Sequence, residues 1–172
     1  MRFIAGFIVG LIAVACAALA IMYTGFYNVA ADAPDNPVVD WFLSNTMIHS
    51  VISHAESVQA PAQFSDEQAR AGFTIYRQTC VHCHGAPGKD PGGIAKGLNP
   101  EAPDLSDAVG DMTTGQMFWI IKNGIKMSGM ASYGKVHSDD EIWNIVAFVQ
   151  RLPNMTPEEY GQFVQNSPAK TE

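Results

Sequence analysis

Residues 65–85, SDEQARAGFTIYRQTCVHCHG, decide how the rest of the chain is read. Ser65-Asp66-Glu67-Gln68 is a capping box, in which the first and fourth side chains satisfy backbone N–H groups at a helix start. Ala69, Phe73, Ile75 and Tyr76 then lay down an apolar face that runs into Cys80. Cys80-Val81-His82-Cys83-His84 is a C-x-x-C-H run. Two thiols three residues apart on one helical turn can reach the two vinyl groups of a haem, and the next residue offers its imidazole to the iron from the same side. Cys80 and Cys83 are therefore the expected attachment points of one covalent haem c, and His84 the expected proximal iron ligand.

Three other chemistries use cysteine pairs, and each lacks a component here. A zinc site needs four nitrogen or sulfur ligands, but no second cysteine pair follows, and the remaining histidines are scattered at His49, His54 and His137. A thioredoxin-type redox pair belongs to an alternation of strands and helices that the sequence does not show. A disulfide closed across two intervening residues is strained.

Outward from the motif, the chain reads as helices. Ser138-Asp139-Asp140-Glu141 is a second capping box, followed by Ile142, Ile145, Val146, Val149 and Leu152 on one face and stopped by Pro153. This helix and the one entering the motif are expected to cross. Between them, residues 114–123 carry Gln116, Met117, Trp119, Ile120 and Ile121 and end at Gly124, a natural residue just past a helix end. No run has strand character, so the expected fold is all-α.

With these elements in place, residues 65–153 resemble a class I cytochrome c. The C-x-x-C-H-G run of residues 80–85 carries most of the resemblance, and Ala102-Pro103-Asp104-Leu105 and the helix from Trp143 to Leu152 support it. The resemblance implies a small helical domain with one haem, acting as an electron carrier. In that family a proline carbonyl accepts a hydrogen bond from the ligating histidine. Pro103 matches that position best, with Pro87 and Pro100 less well placed. Such a bond fixes the tautomer and orientation of the imidazole.

The family's distal ligand is a methionine in a Gly-Met-Pro context followed by an aromatic residue. Gly129-Met130-Ala131-Ser132-Tyr133 keeps all of this except the proline, so Met130 is the expected sixth ligand, Met127 the competing sulfur and His137 the outsider. A methionine ligand raises the potential and a second histidine lowers it. Ala131 in place of proline loosens the loop in principle, which leaves an alternative: a haem-based ligand sensor or peroxidase-like protein with a labile distal methionine.

Two side chains on the iron leave no open position, so the expected role is electron carriage and not enzymatic catalysis. No Ser/His/Asp set, carboxylate pair or phosphate-binding glycine loop stands out, which argues against a small-molecule substrate; residues 85–97 read as the loop that wraps the haem. Ten Lys and Arg against 17 Asp and Glu give a net charge of −7, which argues against nucleic acid. An apolar fraction of 47% with 16% charged residues excludes a disordered polymer. The lysines are uneven: Lys89, Lys96, Lys122, Lys126 and Lys135 fall near the expected haem edge, a basic rim that would orient an acidic redox partner.

From Phe3 to Tyr23 there is no charged residue, a run that spans about 31 Å as a helix and is long enough for a bilayer core. A cleaved signal peptide is the competing reading, but its apolar region is usually shorter. A lipidated Cys16 is a third, although the apolar run continues past it to Tyr23. Arg2 is the one positive charge beside the run, so the N-terminus is expected to stay cytoplasmic and the haem domain to be periplasmic, in a single-pass protein of a bacterial inner membrane. Gly6, Gly10, Ala13, Ala17 and Ala20 recur along one side, a stripe that would admit a second membrane helix.

Asn36-Pro37 then opens an amphipathic helix over about 37–58, with Val39, Phe42, Leu43, Met47, Val51, Ile52, Ala55 and Val58 at helical spacing. Its apolar face has three possible covers: the haem domain, a partner, or the headgroup layer, where Trp41 and Phe42 would serve as interfacial aromatics. The expected organisation is an anchor at 1–27, a connector at 28–64, the haem domain at 65–153 and a C-terminal tail at 154–172. The expected partners are redox proteins, with a membrane respiratory complex foremost.

Overall fold

The computed structural model describes residues 2–167, and among them there are helices and turns but no strand. The chain divides into two compact units between Pro34 and Asp35. The first contains α1 (Arg2–Thr24), which is long and apolar enough to cross a membrane and buries none of its side chains in protein. Gly25, at φ +66°, ends it in the left-handed region that glycine enters without a Cβ clash.

The second unit carries α2 (Pro37–Ala55), α3 (Asp66–Thr79), the single turns α4 (Val81–His84) and α5 (Leu105–Ala108), α6 (Thr114–Asn123), α7 (Asp139–Val149) and α8 (Pro157–Asn166). Short 3₁₀ turns lie at Gly93–Gly97, Tyr133–Lys135 and Leu152–Asn154. The caps explain where these helices begin. Ser65 with Gln68, Thr113 with Gln116, Ser138 with Glu141 and Thr156 with Glu159 each close both arms of a capping box. Asn36 caps α2, its side chain accepting from Val38 N at 2.9 Å, and Pro37 occupies the first turn, where no N–H is needed.

The core forms where α3 packs across α7, the most extensive helix pair in the molecule. Gly72 makes that crossing close: a Cβ there would overlap the Asn144 carbonyl of α7. Phe73 and Tyr76 from α3, and Ile142, Ile145, Val146 and Phe148 from α7, are fully buried. Phe73 meets Phe148 edge-on at 5.2 Å between ring centroids, and Tyr76 meets Phe148 at 5.0 Å. Burial of side chains of this size stabilises by roughly 1.5–3 kcal/mol each. On the other flank α6 stacks Phe118 on Trp143 at 4.0 Å, and α2 buries Val51 and Ala55 in a packing against α6.

The segment after Pro153, expected as a tail, contains α8. Tyr160 is buried, and Phe163 packs on Phe73 and Phe148 at 5.4 and 5.5 Å. Its signature, Thr156-Pro157-Glu158-Glu159, is a capping box with proline in the first turn, so the start of α8 was readable. Its apolar residues are few, and the Phe73–Phe148 aromatic pair gives them a surface to cover.

Gly72→Ala should lower the stability of the holoprotein by at least about 1–3 kcal/mol, because the overlap is with backbone that no rotamer change can relieve. Thermal unfolding followed by circular dichroism measures it; an unchanged midpoint would mean the two helices do not approach as closely as described.

Candidate haem-binding site

The turn that holds the motif continues α3. Cys80 N donates to Tyr76 O at 2.9 Å, and His84 N to Cys80 O at 3.0 Å, so both cysteines and the histidine lie on one helical turn. Gly85 ends the turn at φ +66°, where a Cβ would come within 2.8 Å of Lys89 O. Tyr76 Oη donates to Gly85 O at 2.7 Å in a buried bond that ties the end of the turn to the core. Burial, with a smaller contribution from the neighbouring Cys80, pushes the Tyr76 phenol well above its ordinary value, so it remains a donor throughout the physiological range.

Cys80 and Cys83 are both free thiols. Burial pushes the Cys80 thiol up to about 11, against a smaller opposing effect of the hydrogen bond with Thr79. His84 is half-buried, and its Nδ1 lies 2.8 Å from the carbonyl oxygen of Pro103. Nδ1–H donates to that carbonyl, which leaves the Nε2 lone pair for a metal. An imidazole oriented through Nδ1, on the same turn as two free thiols, is a donor set that fits haem c. Pro103 reaches this place because Asp104 caps α5, its carboxylate accepting from Ser106 N at 2.7 Å.

The two methionines of the following loop differ in environment. Met130 is half-buried and packs against the hydrophobic core, whereas Met127 is 75% exposed and stands at φ +61°. The backbone of Met130 is held on both sides: Met130 N donates to Ser128 Oγ at 3.1 Å, and Ile125 N to Met130 O at 3.2 Å. Ser132 Oγ donates to Lys122 O at 2.8 Å and fastens the loop to the end of α6. Tyr133 and Cys80 both pack, partly buried, against the same hydrophobic core, and burial pushes the Tyr133 phenol above its ordinary value. The structure thus joins Cys80, Cys83 and His84 on one turn to Pro103, and packs Met130 and Cys80 against the same hydrophobic core.

Other sequence candidates fall elsewhere. His137 Nδ1 is 3.7 Å from a Glu141 carboxylate oxygen on its own helix start, and His54 donates from Nδ1 to Ser50 O at 2.8 Å. Among the described residues no group of three or more His, Cys, Asp or Glu side chains is placed to hold a metal ion. Lys122 is drawn out of the expected basic rim: it pairs with Asp139 at 2.6 Å and lies over the Phe118 ring. Lys89, Lys96, Lys126 and Lys135 make no ion pair among the described residues.

Sequence reasoning missed the Tyr76–Gly85 bond, for which no local signal exists, because the partner is a backbone carbonyl. It also read Gly124 only as a helix end. A Cβ there would fall 2.6 Å from the Ala131 carbonyl carbon and 2.7 Å from Met130 O, so this glycine also makes room for the methionine loop.

Residues 67–149 match the family model described as cytochrome c oxidase, cbb3-type, subunit III. This segment is a class I cytochrome c domain. No curated protein matches the chain. The cytochrome domain transfers electrons by means of haem, and the apolar α1 ahead of it is compatible with membrane anchoring. Within the domain, Gly124 is the most direct structural control on the Met130 loop. Gly124→Ala places a side chain at φ +67°, at a cost of about 1–2 kcal/mol, and pushes on the Met130–Ala131 backbone. The variant should unfold at a lower temperature when followed by circular dichroism; an unchanged midpoint would separate Gly124 from the loop.

Proposed function

We propose that this protein carries electrons on one haem c, bound covalently through Cys80 and Cys83, with His84 and Met130 as axial ligands. The observation that carries the reading is the 2.8 Å bond from His84 Nδ1 to the Pro103 carbonyl, on the same turn as two free thiols. Haem, when bound, supplies an iron that changes oxidation state by one electron. The chain's own residues set the conditions. Pro103 orients the His84 ring and raises the basicity of its Nε2. Met130 offers a thioether from a half-buried position, and the exposure of Met127 supports that choice of sulfur. The hydrogen bonds of Ser128 and Ser132 hold the loop despite Ala131, which supports a six-coordinate carrier over a sensor or peroxidase.

The description of the matched family names an oxidase subunit, and on that basis a membrane respiratory complex is the setting, with the protein as fixed subunit or tethered shuttle. Residues 1–27 anchor it as a single pass in a bacterial inner membrane; residues 28–64 connect, and the haem domain of residues 65–153 faces the periplasm. Arg2, the lone charge beside the span, supports that orientation. The redox partner presents an acidic surface to Lys89, Lys96, Lys126 and Lys135.

Replacing both Cys80 and Cys83 by alanine should abolish covalent haem staining, and retained staining would refute the attachment. Met130→Ala should give a high-spin or water-ligated ferric spectrum and a lower potential, with Met127→Ala leaving both unchanged. Charge reversal of Lys126 and Lys135 together should slow electron transfer to the native partner at low ionic strength and leave the haem spectrum unaltered. Equal rates at low salt would move the docking face elsewhere, with Glu101 to Asp111 as the next surface to test.

A further inference from the structure

Residues 125–130 fold back on themselves. Ser128 N donates to Ile125 O at 3.3 Å, closing a turn with Lys126 and Met127 at its centre. Met127 takes φ +61° there, the left-handed conformation that such a turn ordinarily gives to glycine. The closing bond is long, so the backbone by itself holds this conformation weakly. The Ser128 hydroxyl reinforces it: Oγ–H donates to the same Ile125 carbonyl at 2.7 Å. The hydroxyl oxygen also accepts from Met130 N at 3.1 Å, and Ile125 N donates to Met130 O at 3.2 Å. One half-buried hydroxyl therefore joins the two ends of the turn.

Neighbouring contacts leave the loop little room. Gly129 brings it against Leu98, where a Cβ would come within 2.5 Å of a leucine methyl carbon, and Gly124 lies against Met130 O. Met130 N bonds to Ser128 Oγ and to no other group among the described residues. A movement of Met130 away from the core thus breaks the bonds of Ser128 first. Ser132 acts differently, because its hydroxyl ties the loop to α6 and bonds to neither methionine.

We infer that Ser128 is the positioning residue of the distal site: its hydroxyl, bridging Ile125 O and Met130 N, keeps the Met130 thioether seated against the core and holds Met127 at the exposed tip. The inference rests on the reading of Met130 as an axial ligand. Ser128 then governs how readily the thioether gives way to an outside ligand, which is the difference between a closed electron carrier and a ligand-binding haem protein.

The test uses the full-length ferric holoprotein in mild detergent. Saturating imidazole is mixed with the wild type and with Ser128→Ala, Ser128→Thr and Met130→Ala, and its entry is followed by loss of the thioether charge-transfer band and by the Soret shift. Under saturation the rate reports how often the thioether leaves. Ser128→Ala should raise that rate by on the order of tenfold, the size expected for loss of a hydrogen bond of ordinary strength. Ser128→Thr keeps the hydroxyl and should stay within about twofold of the wild type. A Ser128→Ala rate equal to the wild-type rate overturns the inference. So does equal acceleration in Ser128→Ala and Ser128→Thr, which would mean that packing and not the hydroxyl holds the loop. Met130→Ala checks the underlying ligand assignment: it should lack the charge-transfer band from the start. A band that persists in Met130→Ala would overturn that assignment and this inference together, whatever the Ser128 variants do.

Discussion

Gly72 lies against the Asn144 carbonyl with no space for a side chain, and this backbone contact sets the distance between α3 and α7. Packing follows from that distance. Helices that approach so closely let Phe73, Tyr76, Ile145 and Phe148 interlock and exclude water completely. The C-terminal end of α3 is then held by its buried face, and the C-x-x-C-H turn continues directly from it. A looser crossing would leave Tyr76 unburied and Gly85 without its hydrogen bond.

The site therefore inherits its rigidity from the core, through side chains that donate to backbone carbonyls. Tyr76 ties the exit of the attachment turn, Pro103 receives Nδ1 of His84, and Ser132 fastens the methionine loop to the last turn of α6. Three segments far apart in sequence meet here, each arriving with its own cap or turn. For electron transfer this is the useful property, because a site fixed by hydrogen bonds to backbone has little to rearrange when the electron moves.

Two elements outside the haem core modify its surroundings. α8 covers the Phe73–Phe148 pair, and its Pro157 closes on Gly88 in the loop after the attachment turn. α2 packs through its C-terminal half and leaves its first turns uncovered. Lys122, paired with Asp139 and lying over Phe118, shows how tertiary contacts redistribute charge: a lysine that sequence position alone would assign to a docking rim is spent on joining α6 to α7.

Much of this was legible in the chain because the signals are local. A capping box is complete within four residues, so the starts of α3 and α7 could be read from Ser65 and Ser138 without knowing what they pack against. The C-x-x-C-H spacing is local in the same way, and the long charge-free run needs only counting. The sulfur nearer the core, the carbonyl facing His84, the partner of Lys122 and the uncovered end of α2 were decided by tertiary structure. Each depends on which segments the α3–α7 crossing brings together, and burial and direction are properties of that assembly: Met127 and Met130 are the same residue type three positions apart, and only the packing of their loop turns one outward and the other in.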